Sequence, residues 1–339
     1  MKVINVFLKV VLGLVTLIVI GVFTLSSMHE SLDQFDNDFV GATAIDNGDV
    51  SVRFMGNTNL LFSDGETNIL IDGWFSRPSL FELALTDIEP DMLAIDAAFE
   101  RGEITNIDAV ITVHSHYDHA MDAPEVAKRS GASLLGSEST ANIARGWGLA
   151  EEQIELAQIG RRYSYGKFKV SMIPSAHFEF PNSKLHQAAL GDIVITESLV
   201  PPVNVAEYKM GGAYSVYIEH PKGSALVQGS AGYIPNSLDH LTVDVAFLGI
   251  GGLNSQTQAY QDAYWQHSVT AIKPRQIYPI HWDSLTHDLG ERPIMPDLLI
   301  SNLLKFSSRT SLQQTFDAAA NDDINIALLP MWAPIRLFE

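Results

Sequence analysis

Cysteine is absent from the 339 residues, which excludes a disulfide framework and excludes thiolates as metal ligands. Because proteins of reducing and of oxidising compartments can both lack cysteine, its absence assigns the chain to neither. Basic residues are scarce as well: 21 Lys and Arg face 40 Asp and Glu, a formal net charge of −19. Nucleic-acid phosphates and anionic lipid surfaces are bound by clusters of Lys and Arg. The charge balance therefore argues against a nucleic-acid partner and against peripheral adhesion to anionic lipid.

A long uncharged apolar segment is present near the N-terminus, at residues 10–25. Two lysines precede it and several carboxylates follow it, which predicts an N-terminus inside and the rest of the chain outside. The segment has the length of either a spanning helix or a signal-peptide core. Small residues suited to cleavage are weakly represented (Thr24 and Ser26), so an uncleaved transmembrane anchor over residues 1–27 is favoured over a signal segment. We therefore expect a membrane-anchored protein whose main domain lies on the extracytoplasmic side, in the periplasm if it is bacterial.

The remaining chain divides into a polar lead-in and one large domain. Residues 28–49 are rich in Asp, Asn and Gly without periodicity, which predicts a linker. Residues 50–339 alternate apolar runs with helical patterns, and about 290 residues is within the range of a single α/β domain. Capping residues and closing glycines predict helices over 122–131, 137–146 and 151–160.

Potential metal ligands are concentrated in one short stretch. His114, His116, Asp118 and His119 fall within six positions, directly after the apolar run 108–113, which predicts a buried strand. In extended backbone, side chains two residues apart point the same way, so the first two histidines can share one cation. The carboxylate and the last histidine follow a turn and can face a second cation. Imidazole with carboxylate suits zinc, and also manganese or iron. The alternative is a polar loop whose histidines bind nothing.

Further histidines follow apolar runs later in the chain. The His-x-His-x-Asp-His motif resembles the metal-binding signature of the metallo-β-lactamase fold superfamily. Ser175-Ala-His177 resembles the third-histidine motif of that superfamily, and Tyr278-Pro-Ile-His281 resembles its last-histidine motif. Asp72 matches the acidic residue that, in the superfamily, supports the metal-binding loop without binding the metal. The resemblance covers residues from about 50 onward, and it looks closest to the branch of ascorbate-6-phosphate lactonases and of the phospholipase D that acts on N-acyl phosphatidylethanolamine.

The resemblance implies an α/β fold, namely an αββα four-layer sandwich of metallo-β-lactamase type, here preceded by the predicted transmembrane helix. It implies one or two Zn²⁺ ions as cofactors, with Mn²⁺ or Fe as alternatives. The implied metal ligands are His114, His116, Asp118, His119, His177 and His281.

One departure from the superfamily pattern affects the second metal position. Family members carry a metal-bridging Asp between the third and last histidines, and Ser230 occupies that position here. A neutral hydroxyl is a poor ligand beside a carboxylate. Asp283 and Glu179, two residues beyond His281 and His177, are the nearest candidates in sequence to replace it. We expect the three-histidine position (114, 116, 177) to bind metal tightly and the position formed by residues 118, 119 and 281 to bind it more loosely.

The ligand set predicts a hydrolase in which a metal-bound hydroxide cleaves an ester, lactone, amide or phosphodiester bond. Asp118 is the predicted catalytic residue, because it can bind the second metal and orient the nucleophile. The predicted membrane tether and the lipase-like branch suggest a small-molecule or lipid-like substrate. The long irregular connection 178–202 either forms a lid over such a substrate or packs on the core. The alternatives are a non-catalytic metal-binding or scaffold protein at the membrane, and a di-iron redox centre, which the missing bridging carboxylate disfavours.

Overall fold

The computed structural model describes residues 2–179 and 193–338, and for residues 2–10 and 18–19 it describes the backbone alone. These residues contain two seven-stranded sheets. The strands of the first sheet are, in spatial order, β14 (Pro334–Arg336), β1 (Ser51–Phe54), β2 (Leu60–Ser63), β3 (Asn68–Ile71), β4 (Ala109–Ile111), β5 (Ser133–Gly136) and β6 (Ile154–Leu156). Those of the second are β13 (Asn325–Ile326), β12 (Gln276–Ile280), β11 (Val245–Gly249), β10 (Gly223–Gln228), β9 (Ala213–His220), β8 (Phe168–Ser175) and β7 (Arg162–Tyr165).

The strand directions bring the candidate ligands to one edge of each sheet. β3, β4 and β5 are parallel neighbours, so the residues that follow them leave the first sheet on the same side. In the second sheet, β9 is antiparallel to both β8 and β10, and β10, β11 and β12 are parallel. The carboxyl ends of β8, β10 and β12 therefore lie at one edge. His177, Ser230 and His281 follow these three strands.

The two sheets pack face to face through apolar side chains. Residues from both sheets, such as Ile111 and Val170, are fully buried in one common core, because side chains alternate between the two faces of each strand. Phe62 of β2 and Phe247 of β11 meet across this core with ring centroids 5.4 Å apart. Helices cover the outer face of each sheet. On the first sheet, Leu70 of β3 belongs to a buried cluster that includes apolar side chains of helices. A second cluster of this kind covers the outer face of the second sheet.

The described helices have the following bounds: α1 Lys2–Ser26, α2 Leu80–Leu85, α3 Met92–Arg101, α4 Tyr117–Ala120, α5 Ala123–Ser130, α6 Glu138–Trp147, α7 Gln258–Trp265, α8 Leu298–Leu304 and α9 Ser308–Asn321. The predicted helices over 122–131 and 137–146 correspond to α5 and α6. Ser137 caps α6 by accepting a hydrogen bond from the Thr140 N–H at 3.2 Å, and Gly148 ends it in the left-handed conformation.

The helix predicted over 151–160 is wrong. Residues Glu151–Gln153 form one 3₁₀ turn, and Ile154–Leu156 then form β6, which pairs with β5 in parallel. Residues 154–156 pair with the free edge of β5, and this pairing outweighs the local helical pattern. Local residue spacing does not reveal such a partner.

The predicted transmembrane helix is also wrong. Crossing the roughly 30 Å hydrocarbon core of a bilayer takes about 20 consecutive apolar residues. Within the described part of the chain, no helix combines the necessary length and apolarity. This finding overturns the transmembrane element of the predicted fold class, the membrane as a partner, and the membrane-anchored extracytoplasmic location. The observed fold is a mixed α/β fold with two sheets, and the argument for a lipid-like substrate loses the tether on which it rested.

A candidate metal centre between the two sheets

Three histidines converge from two different loops. His114 lies just beyond β4 and is 1% exposed, and His116 is the residue before α4. His114 Nε2 lies 3.1 Å from His116 Nδ1. His177 reaches the same place from the end of β8, with its ring centroid 5.0 Å from that of His114 and 5.1 Å from that of His116. One nitrogen of each histidine lies within 4.8 Å of the others, so the three can hold one metal ion.

A second group adjoins the first and contains the carboxylate. His114, Asp118 and His119 also offer ligand atoms within 4.8 Å of one another. Asp118 Oδ2 lies 3.3 Å from His119 Nε2 and 3.3 Å from His281 Nε2. His281 therefore joins this group from the second sheet, and Asp118 stands between two imidazoles. The structure thus brings together all six residues that the sequence predicts as metal ligands.

Asp72 supports this arrangement from the end of β3. Its Oδ1 accepts a hydrogen bond from the Val113 N–H at 2.9 Å, which ties it to the strand that leads into the histidine loop. Its Oδ2 lies 2.7 Å from His119 Nδ1 and also accepts a hydrogen bond from the Thr58 hydroxyl. Because the carboxylate accepts the Nδ1 proton, His119 presents Nε2 to the ligand cluster.

Burial and charge set the protonation of the cluster. Burial, reinforced by the neighbouring histidines, holds the pKa of His114 and of His177 well below the usual value, which favours the neutral imidazole that binds metals. Burial also opposes the charge of His119, but Asp118 and Asp72 raise its pKa to about 10. For Asp118, burial favours the neutral acid, yet His119 and His281 hold the pKa well below its usual value. The cluster therefore contains a buried carboxylate that requires positive charge beside it.

A divalent cation fits the donor atoms present. His119 Nε2 is buried and makes no hydrogen bond of good geometry among the described residues, although Asp118 Oδ2 lies 3.3 Å away. A buried nitrogen without a partner is costly unless a ligand occupies it, and a cation satisfies this nitrogen and the carboxylate together. Five imidazoles and one carboxylate suit zinc, iron or manganese, whereas calcium and magnesium prefer oxygen ligands.

Ser230, at the position of the missing bridging carboxylate, and the two candidate replacements for that carboxylate lie outside the two ligand groups among the described residues. Ser230 is 6% exposed, and its hydroxyl accepts a hydrogen bond from the Phe178 N–H at 3.2 Å, next to His177. Asp283 has other partners: its Oδ1 accepts the Asn57 N–H at 2.7 Å, and its Oδ2 lies 3.8 Å from the Arg77 guanidinium. Glu179 is exposed. Neither of the two carboxylates belongs to the two ligand groups among the described residues.

Sequence reasoning missed a buried polar turn beside the centre. Asn57, Thr58 and Asn59 join β1 to β2, and each is fully buried. Their polar side chains contact the carbonyl of Asp118, the Asp72–His119 pair and the carbonyl of Trp74, respectively. No local signal marks this turn as buried, because three consecutive polar residues between two apolar strands are also typical of a solvent-exposed hairpin turn.

The predicted lid lies partly outside the described residues, because nothing is described between residues 180 and 192. The part that follows packs on α6. The Ile195 N–H donates to Ser139 Oγ at 2.8 Å, and Asn142 Nδ2 donates to the Ile195 carbonyl at 2.6 Å. From residue 195 onward the connection is thus held against the body of the domain.

Comparison with known proteins identifies the family. A model of the beta-lactamase superfamily domain matches residues 67–282, which is more than half of the chain. A UPF0173 metal-dependent hydrolase of Pyrococcus furiosus is 26% identical over 238 residues, covering 69% of this chain and 85% of the relative. One of Staphylococcus carnosus is 22% identical over 242 residues, covering 70% of this chain and 87% of the relative.

Among solved structures, CmlA, a diiron beta-hydroxylase from Streptomyces venezuelae, superposes with a TM-score of 0.51 at 13% identity, covering 88% of this chain and 55% of that one. At this identity the likeness shows the fold alone. The predicted membership of the metallo-β-lactamase fold superfamily is confirmed, while the resemblance to one narrower branch stays a prediction. The chain belongs to the beta-lactamase superfamily domain family and has the metallo-β-lactamase fold.

Proposed function

We propose that this metal-dependent hydrolase cleaves an ester, lactone or phosphodiester bond at the centre formed by the five histidines and Asp118. The observation that carries the proposal is their convergence: Asp118 Oδ2 stands 3.3 Å from both His119 Nε2 and His281 Nε2, beside the three remaining histidines. A divalent cation bound there would lower the pKa of water to about 7 and would polarise an oxygen of the substrate.

The residues have separable roles in this proposal. His114, His116 and His177 would hold one metal ion, and Asp118, His119 and His281 would hold a second. Asp118 additionally accepts a hydrogen bond from the attacking water and orients it toward the substrate. Asp72 keeps His119 in the tautomer that binds the metal. Zinc is the proposed metal, because imidazole-rich ligand sets favour it.

The decisive experiment combines metal analysis with a substrate panel. The full chain is purified without chelators, and its metal content is measured by elemental analysis. Hydrolysis of chromogenic esters, lactones and phosphodiesters is then assayed before and after treatment with a chelator. We expect one to two zinc ions per chain and turnover that the chelator abolishes and zinc restores. Metal bound tightly without turnover on any substrate class would contradict the hydrolase proposal and favour a metal-binding role.

Replacing Ser230 with Asp should strengthen the second metal position. A carboxylate there restores the bridging ligand that the superfamily uses, so we expect the looser of two zinc affinities to tighten by at least about tenfold. Titration of the metal-free chain against a chromophoric chelator measures both affinities. Ser230→Ala is the matched control, because it removes the acceptor of the Phe178 N–H without adding charge. Two zinc ions bound with equal affinity in the wild type, with no increase in affinity in Ser230→Asp, would contradict the two-affinity hypothesis.

A further inference from the structure

Asn57 occupies an unusual position between the two halves of the fold. It lies in the turn between β1 and β2, is fully buried, and has a left-handed backbone with φ of 53°. Asparagine tolerates this conformation better than most other residues with a side chain. A fully buried turn is rare because its polar groups need partners, and those partners here are residues of the candidate metal centre.

Two hydrogen bonds connect Asn57 to candidate ligands of the centre, and a third connects it to Asp283. Its Nδ2 donates to the backbone carbonyl of Asp118 at 2.6 Å, and its own carbonyl accepts the His281 N–H at 3.0 Å. Its N–H donates to Asp283 Oδ1 at 2.7 Å. Asp118 leaves the first sheet after β4, and His281 leaves the second sheet after β12. One residue therefore fixes the backbone of two candidate ligands that come from different sheets.

Both of these ligands have backbones that need such support. Asp118 lies in α4, a single turn of four residues, where few carbonyls find partners within the helix. His281 has φ of 57°, which costs free energy in a residue other than glycine unless the surroundings enforce it. The side-chain Oδ1 of Asn57 has no hydrogen-bond partner among the described residues, so the only side-chain hydrogen bond described for Asn57 is the one to Asp118.

We infer that Asn57 is a positioning residue that sets the geometry of the Asp118–His281 half of the metal centre. The inference rests on the proposed function, because it assumes that these residues bind a metal. Among the described contacts, the Asn57 side chain makes no hydrogen bond to a ligand atom of either group; it acts through the backbones of Asp118 and His281. The three-histidine position, which receives no hydrogen bond from Asn57 among the described contacts, should be independent of it.

The test compares two substitutions of Asn57 with one of its neighbour. Asn57→Gly removes the side chain and accepts the positive φ without strain. Asn57→Asp keeps the shape but replaces the donor with an oxygen that faces the Asp118 carbonyl. Asn59→Ala is the matched control: Asn59 is also fully buried in the same turn, but it bonds to the backbone of Trp74. All three are made in the full chain.

Zinc affinities are measured by competition with a chromophoric chelator, and folding is monitored by thermal unfolding. In both Asn57 variants we expect the looser affinity to fall roughly 10- to 100-fold while the tighter one is unchanged. Asn59→Ala should lower the unfolding temperature and leave both affinities as they are. Equal affinities in Asn57→Asp and wild type, or an equal loss in Asn59→Ala, would overturn the inference. A wild-type chain that binds no zinc would instead contradict the proposed function itself.

Discussion

Replacing His116 with alanine is expected to reduce hydrolysis roughly a thousandfold or more, because the metal lowers the pKa of water from 15.7 to about 7 and the three-histidine position loses a ligand. The fold should survive the change. His116 precedes α4, and its side chain makes no capping hydrogen bond to that helix. The variant should therefore retain its far-ultraviolet circular dichroism while its tight zinc affinity falls. Initial rates on the substrate that the panel identifies measure the effect.

The control for this experiment is another histidine of the same chain. His240 is exposed and does not belong to either ligand group among the described residues, so His240→Ala should keep full activity and both zinc affinities. Turnover in His116→Ala within a few-fold of wild type would refute the assignment of His116 as a ligand. Equal losses in both variants would indicate a general loss of structure.

Replacing Arg77 with methionine should lower the free energy of unfolding by about 3–5 kcal/mol, the range observed when one partner of a buried ion pair is removed. The Arg77 side chain is 1% exposed, and its guanidinium lies 3.8 Å from Asp283 Oδ2 and 4.0 Å above the ring of Trp74. None of its nitrogens has a hydrogen-bond partner among the described residues, so its contribution is mainly electrostatic. Without Arg77, the buried Asp283 carboxylate loses its compensating charge.

Urea unfolding of Arg77→Met, of Asp283→Asn and of the double variant measures the interaction free energy between Arg77 and Asp283. Asp283→Asn keeps an oxygen that can accept the Asn57 N–H, so the variant Arg77→Met/Asp283→Asn removes the uncompensated charge and should recover part of the loss. A cost below about 1 kcal/mol for Arg77→Met, which is the level of an exposed pair, would show that Asp283 is not held by this charge.

The local motif was the most predictable part of the site. His114, His116, Asp118 and His119 follow one strand within six residues, so their proximity is fixed by short-range geometry that spacing reveals. The placement of His177 and His281 beside them came from the superfamily resemblance. The metal-dependent hydrolase predicted from these residues is confirmed at the level of the family.

The supporting residues were not predictable because their partners are distant in sequence. Asn57 and Asp283 are 226 positions apart, and no local pattern announces their hydrogen bond. The same reason explains β6, where pairing with β5 prevailed over a helical pattern at residues 151–160. The membrane prediction fails for a different reason: it rests on hydropathy and flanking charge alone, whereas the described part of the chain contains no helix that could span a bilayer.

Because the candidate metal centre is divided between two sheets, it can form only late in the folding of the chain. The candidate ligands run from His114 to His281, so the chain must be synthesised past residue 281 before the whole centre can assemble. Contacts of such sequence separation form late, because loop closure must precede them. Metal binding should therefore be coupled to the docking of the two sheets, and a bound ion would preferentially slow the unfolding of the finished protein. Metal loading would then occur only in chains that have completed folding.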